Sequence, residues 1–321
     1  MPRIRFRNFV LVGMGAVVAG LGAATYYYQR DIQQARERVA SGSQIAQTPC
    51  GPIEYAVAGD GPPVLVVHGA GGGFDQGLDL GKPLAERGFR VIAMSRFGYL
   101  RTPLPADATP AVQADAHACL LDALHIRRAT ILGVSAGAPS SLQFAIRYPQ
   151  RTAALVLLVP GAYRPRSADD TRTMFAPAGT GILLDTAMRS DFLFWAAIRL
   201  APDSMLRVLL GTDPALVASA SREAQAQVAM VMEHILPVSP RRLGLLNEAK
   251  VMSSLERYAL ERITAPTLAI STQDDLYETY ETARYTATQI PRARFLGYPS
   301  GGHVLVGRYQ EVTDEIARFL K

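Results

Sequence analysis

The sequence predicts an α/β fold: a mostly parallel eight-stranded sheet with helices on both faces and a helical insertion after the sixth strand. Short runs of β-branched and aliphatic residues, such as residues 64–67, alternate with helical patterns along most of the chain. Such runs are typical of strands buried on both faces of a parallel sheet. The alternation stops after Pro160 and resumes at Thr267, which indicates an insertion into the sheet domain.

The amino terminus is predicted to attach the protein to a membrane. Residues 9–28 carry no charge and would form a helix of about 30 Å, the thickness of a bilayer core. The basic tail, residues 1–8, would stay cytoplasmic, so the folded part would be periplasmic or extracytoplasmic. A cleaved signal followed by secretion is the alternative. Residues 29–42 are expected to form a polar helical stalk.

The globular part is predicted to have a core at residues 43–160 and 264–321 and a helical cap at residues 161–263. Gly- and Pro-rich turns separate its elements. The expected strands are residues 45–48, 53–58, 64–67, 90–94, 129–134, 155–159, 267–270 and 294–296. Within the cap, helices are expected near residues 191–200, 204–210, 214–235 and 242–255.

Composition excludes several classes of protein. The chain has 321 residues, 49% hydrophobic and 19% charged, which is enough apolar material for a large core. Residues 1–38 carry four of the five net positive charges, so the remainder offers no basic surface for nucleic acid. Cys50 and Cys119 lack metal-ligand spacing. We expect free buried thiols, with a disulfide as the alternative outside the cytosol.

A G-x-S-x-G pattern occupies residues 133–137, between a predicted strand and a predicted helix. A nucleophilic serine needs such a sharp turn to expose its hydroxyl, and the flanking glycines leave room for the backbone. Ser135 is therefore the candidate nucleophile.

Backbone donors for an oxyanion are predicted in the Gly-rich stretch at residues 69–73, which follows another buried strand. Acyl transfer needs N–H groups aimed at the developing negative charge. We choose the N–H groups of Ala70 and Ala136, with Gly71 as a substitute for Ala70. His68 precedes the loop and is expected to orient it.

An acid and a base follow the last two predicted strands. Serine needs a base to remove its proton, and a carboxylate must hold that base in the correct tautomer. Asp275 and His303 supply these groups in the chain order Ser, Asp, His.

Together these motifs resemble the α/β-hydrolase superfamily, from about residue 44 to residue 320. The resemblance implies a cap after the sixth strand and an acid in a G-x-x-D turn after the seventh, which selects Asp275 over Asp274. Thr272 stands in place of the turn's glycine. Where many cap-bearing relatives have D-x-x-G-x-G-x-S, this chain has Ser95 and Leu100 instead of the Asp and the second Gly.

The expected activity is hydrolysis of an ester or related acyl bond of a small, largely apolar substrate, with no metal or organic cofactor. The alternatives are a carbon–carbon bond hydrolase, a peracid-forming haloperoxidase or a non-catalytic binding protein. The expected partners are the acyl substrate and the membrane, through residues 9–28, and the sequence does not indicate the oligomeric state. Arg241 and Arg242 are interpreted as a solvated pair, with a clamp for a substrate carboxylate as the alternative. Large apolar residues are expected on the cap above Ser135: Phe192, Phe194, Trp195, Leu209 and Met232.

Overall fold

The computed structural model describes the backbone of residues 2–165 and 188–321, and the side chains of those ranges from residue 20 onward. The strands are β1 Gln44–Thr48, β2 Gly51–Ala58, β3 Pro63–Val67, β4 Arg90–Met94, β5 Ala129–Val134, β6 Thr152–Leu158, β7 Thr267–Thr272 and β8 Ala293–Tyr298. They form one sheet in the order β1-β2-β4-β3-β5-β6-β7-β8. β2 is antiparallel to β1 and β4, and the other neighbours are parallel. The predicted sheet is confirmed.

Helices cover both faces of this sheet. Outside the insertion the described helices are α1 Pro2–Ala40, α2 Phe74–Ala85, α3 Pro110–Ala123 and α4 Ala138–Arg147. Those of the insertion are α5 Asp191–Leu200, α6 Pro202–Leu210, α7 Pro214–Ser219, α8 Arg222–Glu233 and α9 Arg242–Ser253, and the last two are α10 Thr279–Gln289 and α11 Tyr309–Leu320. Alternate residues of β3 enter two different apolar clusters, one with α2 and α11 and the other with α3, α4 and α10.

The insertion between β6 and β7 has its own apolar cluster, formed mainly by α5, α6 and α8. Residues 166–187, which the predicted cap 161–263 includes, lie outside the described residues. The single helix expected at residues 214–235 is two helices, α7 and α8. The Ser221 hydroxyl accepts the Ala224 N–H at 3.2 Å and so begins a new helix.

Helix α1 continues without a break into the segment expected to be a stalk, and its last turns pack against the insertion. Ile32 and Ala35 are 1% and 3% exposed and belong to the apolar cluster of the insertion. The Tyr28 ring contacts Phe192 and Trp195, with ring centroids 5.1 and 5.6 Å apart. The segment is therefore docked on the globular part.

The predicted membrane span at residues 9–28 falls within α1. Most of its side chains, those of residues 9–19, lie outside the described residues. Elsewhere, in the portions of the chain whose side chains are described, no helix has the length and apolar character to cross a membrane.

Cys50 and Cys119 form a disulfide, so the expectation of free thiols is wrong. The turn between β1 and β2 carries Cys50 over α3, which carries Cys119, and the two Cα atoms are 6.1 Å apart. The residues are 69 positions apart in the chain. Their proximity depends on tertiary packing, which their spacing did not reveal.

Candidate active site

Ser135 lies at the sharp turn between β5 and α4. Its φ is +49°, a left-handed conformation that is uncommon for residues other than glycine. A Cβ added at Gly133 would lie 2.4 Å from Ser141 Oγ, and one added at Gly137 would lie 2.3 Å from the Val67 carbonyl oxygen. Both glycines of the G-x-S-x-G pattern are therefore required by the close packing of this turn.

His303 connects Ser135 with Asp275. Its Nε2 atom is 2.8 Å from Ser135 Oγ, and its Nδ1 atom is 2.8 Å from Asp275 Oδ2. Because a carboxylate only accepts hydrogen bonds, Nδ1–H donates to Asp275, and Nε2 is left to accept the serine hydroxyl. Asp275 is 4% exposed and also accepts hydrogen bonds from the Tyr277 N–H and the Thr279 hydroxyl. The structure thus brings the three predicted residues into one hydrogen-bonded chain.

Asp274 supports the loop that carries His303. Its carboxylate accepts hydrogen bonds from the N–H groups of Gly301 and Gly302, at 2.9 and 2.8 Å, and from the Ser300 hydroxyl at 2.8 Å. Burial acts to raise the pKa of Asp274, but these donors outweigh it and lower the pKa. The neighbouring aspartates therefore have separate positions, and Asp275 is the one beside His303.

The Gly-rich loop after β3 runs directly beside the nucleophile. A Cβ added at Gly69 would lie only 3.2 Å from Ser135 Cβ. The Gly69 carbonyl, which shares a peptide unit with the Ala70 N–H, is 2.7 Å from His68 Nδ1. Because the N–H and C=O of a trans peptide point in opposite directions, anchoring this carbonyl fixes the direction of the Ala70 N–H.

The second predicted donor is fixed in the same way. The Ala136 N–H shares a peptide unit with the Ser135 carbonyl, which accepts the Gly161 N–H at 3.0 Å. Gly161 follows β6, so the loop after that strand supports the turn of the nucleophile. Both N–H groups selected from the sequence therefore belong to peptide units that are anchored at the carbonyl end.

His68 is fully buried behind the loop. Its Nε2 atom accepts the Arg96 N–H at 3.0 Å, so Nδ1 carries the proton that it donates to the Gly69 carbonyl. Burial, followed by the nearby Arg96 guanidinium, holds the pKa of His68 well below its usual value. His68 is therefore neutral, and it positions the loop as the sequence predicted.

Arg96 supports the peptide unit of the Ala70 N–H and the unit that follows Ala136, and sequence analysis missed it. Its guanidinium donates to the carbonyl oxygens of Ala136 at 3.1 Å and Gly69 at 3.3 Å, and it forms an ion pair with Glu248 of α9. Burial lowers the pKa of Arg96 to about 10, so the group stays charged near neutral pH. The available signal was an arginine immediately beyond the buried strand β4.

Ser95, which stands where the family motif has Asp, is hydrogen-bonded to a carboxylate of β2. The Ser95 hydroxyl donates to Glu54 Oε2 at 2.8 Å and accepts the Phe74 N–H at 3.0 Å. Glu54 is fully buried and pairs with Arg101, with 2.7 Å between Nε and Oε1. Leu100, in place of the second motif glycine, has a φ of +50°.

The insertion contacts the site through a few residues that sequence analysis did not select. A Cβ added at Gly161 would lie 2.5 Å from Met252 Cε, and one added at Gly71 would lie 3.3 Å from Ile235 Cγ2. The Tyr277 ring packs edge-on against His303, with centroids 4.8 Å apart. These residues place apolar and aromatic side chains against the loops of the predicted reaction site.

Most of the large apolar residues expected above Ser135 belong to the apolar cluster of the insertion. Phe194, Trp195 and Met232 are buried in the cluster that receives α1, and Leu209 is partly buried against that cluster. Phe192 is 44% exposed and contacts Tyr28 of α1. Part of this apolar surface of the insertion therefore packs against α1.

No three His, Cys, Asp or Glu side chains in the described ranges are grouped as a metal site would require.

A family model described as the alpha/beta hydrolase fold matches residues 62–307. The 2-hydroxy-6-oxo-6-phenylhexa-2,4-dienoate hydrolase of Comamonas testosteroni is 35% identical over 114 residues, which are 34% of this chain and 40% of the relative. The match thus spans less than half the length of that relative.

Solved structures share the fold over most of the chain. An alpha/beta hydrolase fold protein from Nakamurella multipartita has 28% identity and a TM-score of 0.67, covering 87% of this chain and 98% of its own. A membrane phospholipase A, described as a bacterial virulence factor, has 20% identity and a TM-score of 0.65, covering 100% and 98%. The second likeness concerns the fold alone. The family match and the eight-stranded sheet together lead to one conclusion: this chain belongs to the alpha/beta hydrolase fold family.

Proposed function

We propose that the protein is a serine hydrolase that cleaves an ester or related acyl bond of a small, largely apolar substrate. The observation that carries this proposal is the chain of two 2.8 Å contacts from Ser135 through His303 to Asp275. A serine hydroxyl bonded to a neutral, carboxylate-oriented imidazole is the arrangement that activates serine for attack on a carbonyl.

The reaction would proceed through an acyl-enzyme. Ser135 Oγ attacks the substrate carbonyl carbon while His303 Nε2 takes the hydroxyl proton, and the N–H groups of Ala70 and Ala136 hold the oxyanion. The His303 proton then passes to the leaving alcohol as the ester bond breaks. Water, deprotonated by His303, attacks the acyl carbonyl, and the proton returns to Ser135 as the free acid leaves.

The substrate's acyl group would lie against apolar side chains. Met252 and Ile235 from the insertion lie against Gly161 and Gly71, in the loops beside the nucleophile. Tyr277 packs on His303. Each methylene buried there contributes up to about 0.8 kcal/mol, or roughly fourfold in kcat/KM. We expect kcat/KM for aryl esters to rise over the first few acyl carbons.

Carbon–carbon bond hydrolysis is the second candidate. It is supported by the sequence similarity to the Comamonas testosteroni hydrolase, which acts on 2-hydroxy-6-oxo-6-phenylhexa-2,4-dienoate. Turnover of that dienoate at a higher kcat/KM than the best aryl ester would favour this candidate over ester hydrolysis.

The nucleophile is tested with a fluorophosphonate probe, which reacts only with activated serines. Wild-type protein should be labelled and should hydrolyse the aryl esters, whereas Ser135→Ala should do neither. Ser141→Ala is the matched control, because Ser141 lies behind the turn and its hydroxyl donates to the Gly137 carbonyl. Equal labelling of Ser135→Ala and wild type would refute the proposal.

We also propose that residues 9–28 anchor the protein in a membrane with the catalytic domain on the extracytoplasmic side. The Cys50–Cys119 disulfide supports this location, because disulfides persist mainly in oxidising compartments. An anchored protein should stay in the membrane fraction through a high-salt wash, since salt does not weaken burial of apolar residues. A soluble chain that begins near Thr25 would instead identify a cleaved signal.

A further inference from the structure

The last turn of α1 reaches the start of α2, the helix that follows the Gly-rich loop at residues 69–73, here called the oxyanion loop. Arg38 Nε is 3.3 Å from Asp75 Oδ2, and the Asp75 carboxylate is 4% exposed. Asp75 is the second residue of α2, two positions after Gly73 at the end of the loop. A side chain of the amino-terminal helix is thus paired with the base of the loop that carries the Ala70 N–H.

Arg241 pairs with Asp75 from the other side. It was expected to be solvated, but its side chain is fully buried, with Nη2 2.7 Å from Asp75 Oδ2. Its Nη1 donates to the Gly72 carbonyl at 2.5 Å, and its Nε donates to the Pro237 carbonyl at 3.2 Å. Arg241 is buried because Asp75 and two carbonyl oxygens replace its water.

Arg38 also binds the segment of the insertion that lies on the loop. Its Nη2 donates to the carbonyl oxygens of Leu236 and, at 3.2 Å, His234. Ile235 lies between these residues, and its side chain is the one against which a Cβ at Gly71 would pack. One guanidinium therefore fixes both the base of the oxyanion loop and the segment that covers it.

The charges favour a rigid arrangement. Burial acts to raise the pKa of Asp75, but Arg241 and then Arg38 outweigh it and lower the pKa, so the carboxylate stays ionised at neutral pH. A buried carboxylate shared by two guanidiniums holds its partners in a fixed geometry, because an unpaired charge at this depth would be strongly unfavourable.

We propose that Arg38 is a positioning residue for the oxyanion loop. The amino-terminal helix α1 would then support the active site in addition to preceding the sheet domain. Loss of Arg38 would leave Asp75 paired with Arg241 alone. It would also remove two hydrogen bonds to the segment at residues 234–236, which would then be held to α2 through His234 and Asp79. The Ala70 N–H would then be less firmly aimed at the oxyanion. This inference rests on the proposed serine hydrolase function.

The test compares Arg38→Gln with Arg36→Gln. Arg36 lies on the same helix and also pairs with the insertion, through Asp191 at 3.3 Å, but it does not contact the oxyanion loop or α2 in the described structure. Both variants remove one ion pair of α1. Arg38→Lys is the conservative variant, because an ammonium can still pair with Asp75 but cannot reach both carbonyl groups.

Each protein is assayed with one aryl ester well below its melting temperature, and inhibition by an aryl boronic acid, which forms a tetrahedral adduct, is measured in parallel. We expect Arg38→Gln to lower kcat by about tenfold with KM within about twofold, since removal of a whole oxyanion donor costs about 100- to 1,000-fold. The boronate inhibition constant should rise by a similar factor. Arg36→Gln should match wild type, and Arg38→Lys should recover part of the loss.

Wild-type kcat and boronate inhibition in Arg38→Gln would overturn the inference, as would an equal loss in Arg36→Gln, which would indicate general loosening of α1. Faster amide exchange at residues 69–73 in Arg38→Lys provides a second readout if Arg38→Gln does not fold, and unchanged exchange there would also overturn the inference. Failure of the proposed function is distinguishable, because the wild-type protein itself would then lack Ser135-dependent activity.

Discussion

Asp274 and Asp275 are adjacent in the sequence, but we expect substitution of Asp275 to lower activity and substitution of Asp274 to lower mainly stability. Asp275 orients His303, whereas Asp274 holds the loop on which His303 stands. The variants Asp275→Asn and Asp274→Asn are nearly isosteric with the wild type and change one charge each. They therefore separate orientation of the base from support of its loop.

The expected magnitudes follow from the contacts. Asn at position 275 presents an amide to His303 Nδ1 and favours the wrong tautomer, a change that lowers kcat by about 10,000-fold in triads generally. Asn at position 274 can keep one acceptor oxygen for the N–H groups of Gly301 and Gly302, but it loses the negative charge and the oxygen that accepts the Ser300 hydroxyl. The free energy of unfolding should fall by about 2 kcal/mol, and kcat should stay within about tenfold of wild type.

The assay combines kcat for an aryl ester with urea unfolding of each variant at the same pH. Asp274→Asn should shift the unfolding midpoint with an unchanged slope, while Asp275→Asn should remove activity. If Asp274→Asn lost a thousandfold in kcat at wild-type stability, or if Asp275→Asn kept a tenth of its activity, the two roles would be assigned incorrectly.

Two further predictions concern stability. Replacing Cys50 and Cys119 together by Ser should lower the free energy of unfolding by about 4 kcal/mol, because the disulfide restricts the unfolded chain between residues 69 positions apart. Urea unfolding of the oxidised wild type and the double variant measures this difference. Identical unfolding midpoints would contradict it. Burial lowers the pKa of His117 to about 3, so the native state keeps His117 neutral while the unfolded state binds a proton below about pH 6.5. The stability that neutral His117 contributes above pH 6.5 is therefore lost as the pH falls. Between pH 6 and pH 4 the free energy of unfolding of His117→Gln should fall by about 1.4 kcal/mol less per pH unit than that of the wild type. Parallel plots of unfolding free energy against pH would show that His117 does not contribute.

The sheet and the three candidate residues Ser135, Asp275 and His303 could be predicted because their signals are local. Each strand is a short apolar run between turn residues, and each of these side chains follows the end of a strand. Parallel strands bring their carboxyl ends to one edge of the sheet, so chain order alone was sufficient to group the three side chains.

The supporting residues could not be predicted, because each acts across a long separation in the chain. Arg38 and Asp75 are 37 residues apart, and Arg241 and Asp75 are 166 apart. An arginine that is buried by such a partner has the same sequence signature as an exposed one. Arg241 was therefore assigned to the surface, and Arg96 was not selected at all.

The pairing of Ser95 with Glu54 limits which side chains position 95 can accept. β2 and β4 are neighbours, so the Glu54 carboxylate meets the side chain that follows β4. An aspartate at position 95 beside Glu54 would place two negative charges in one buried space, where repulsion and the loss of water disfavour both. An acid at one position therefore excludes an acid at the other. Ser95→Asp alone, which would match the family motif at this position, should make the folded protein less stable than Ser95 does.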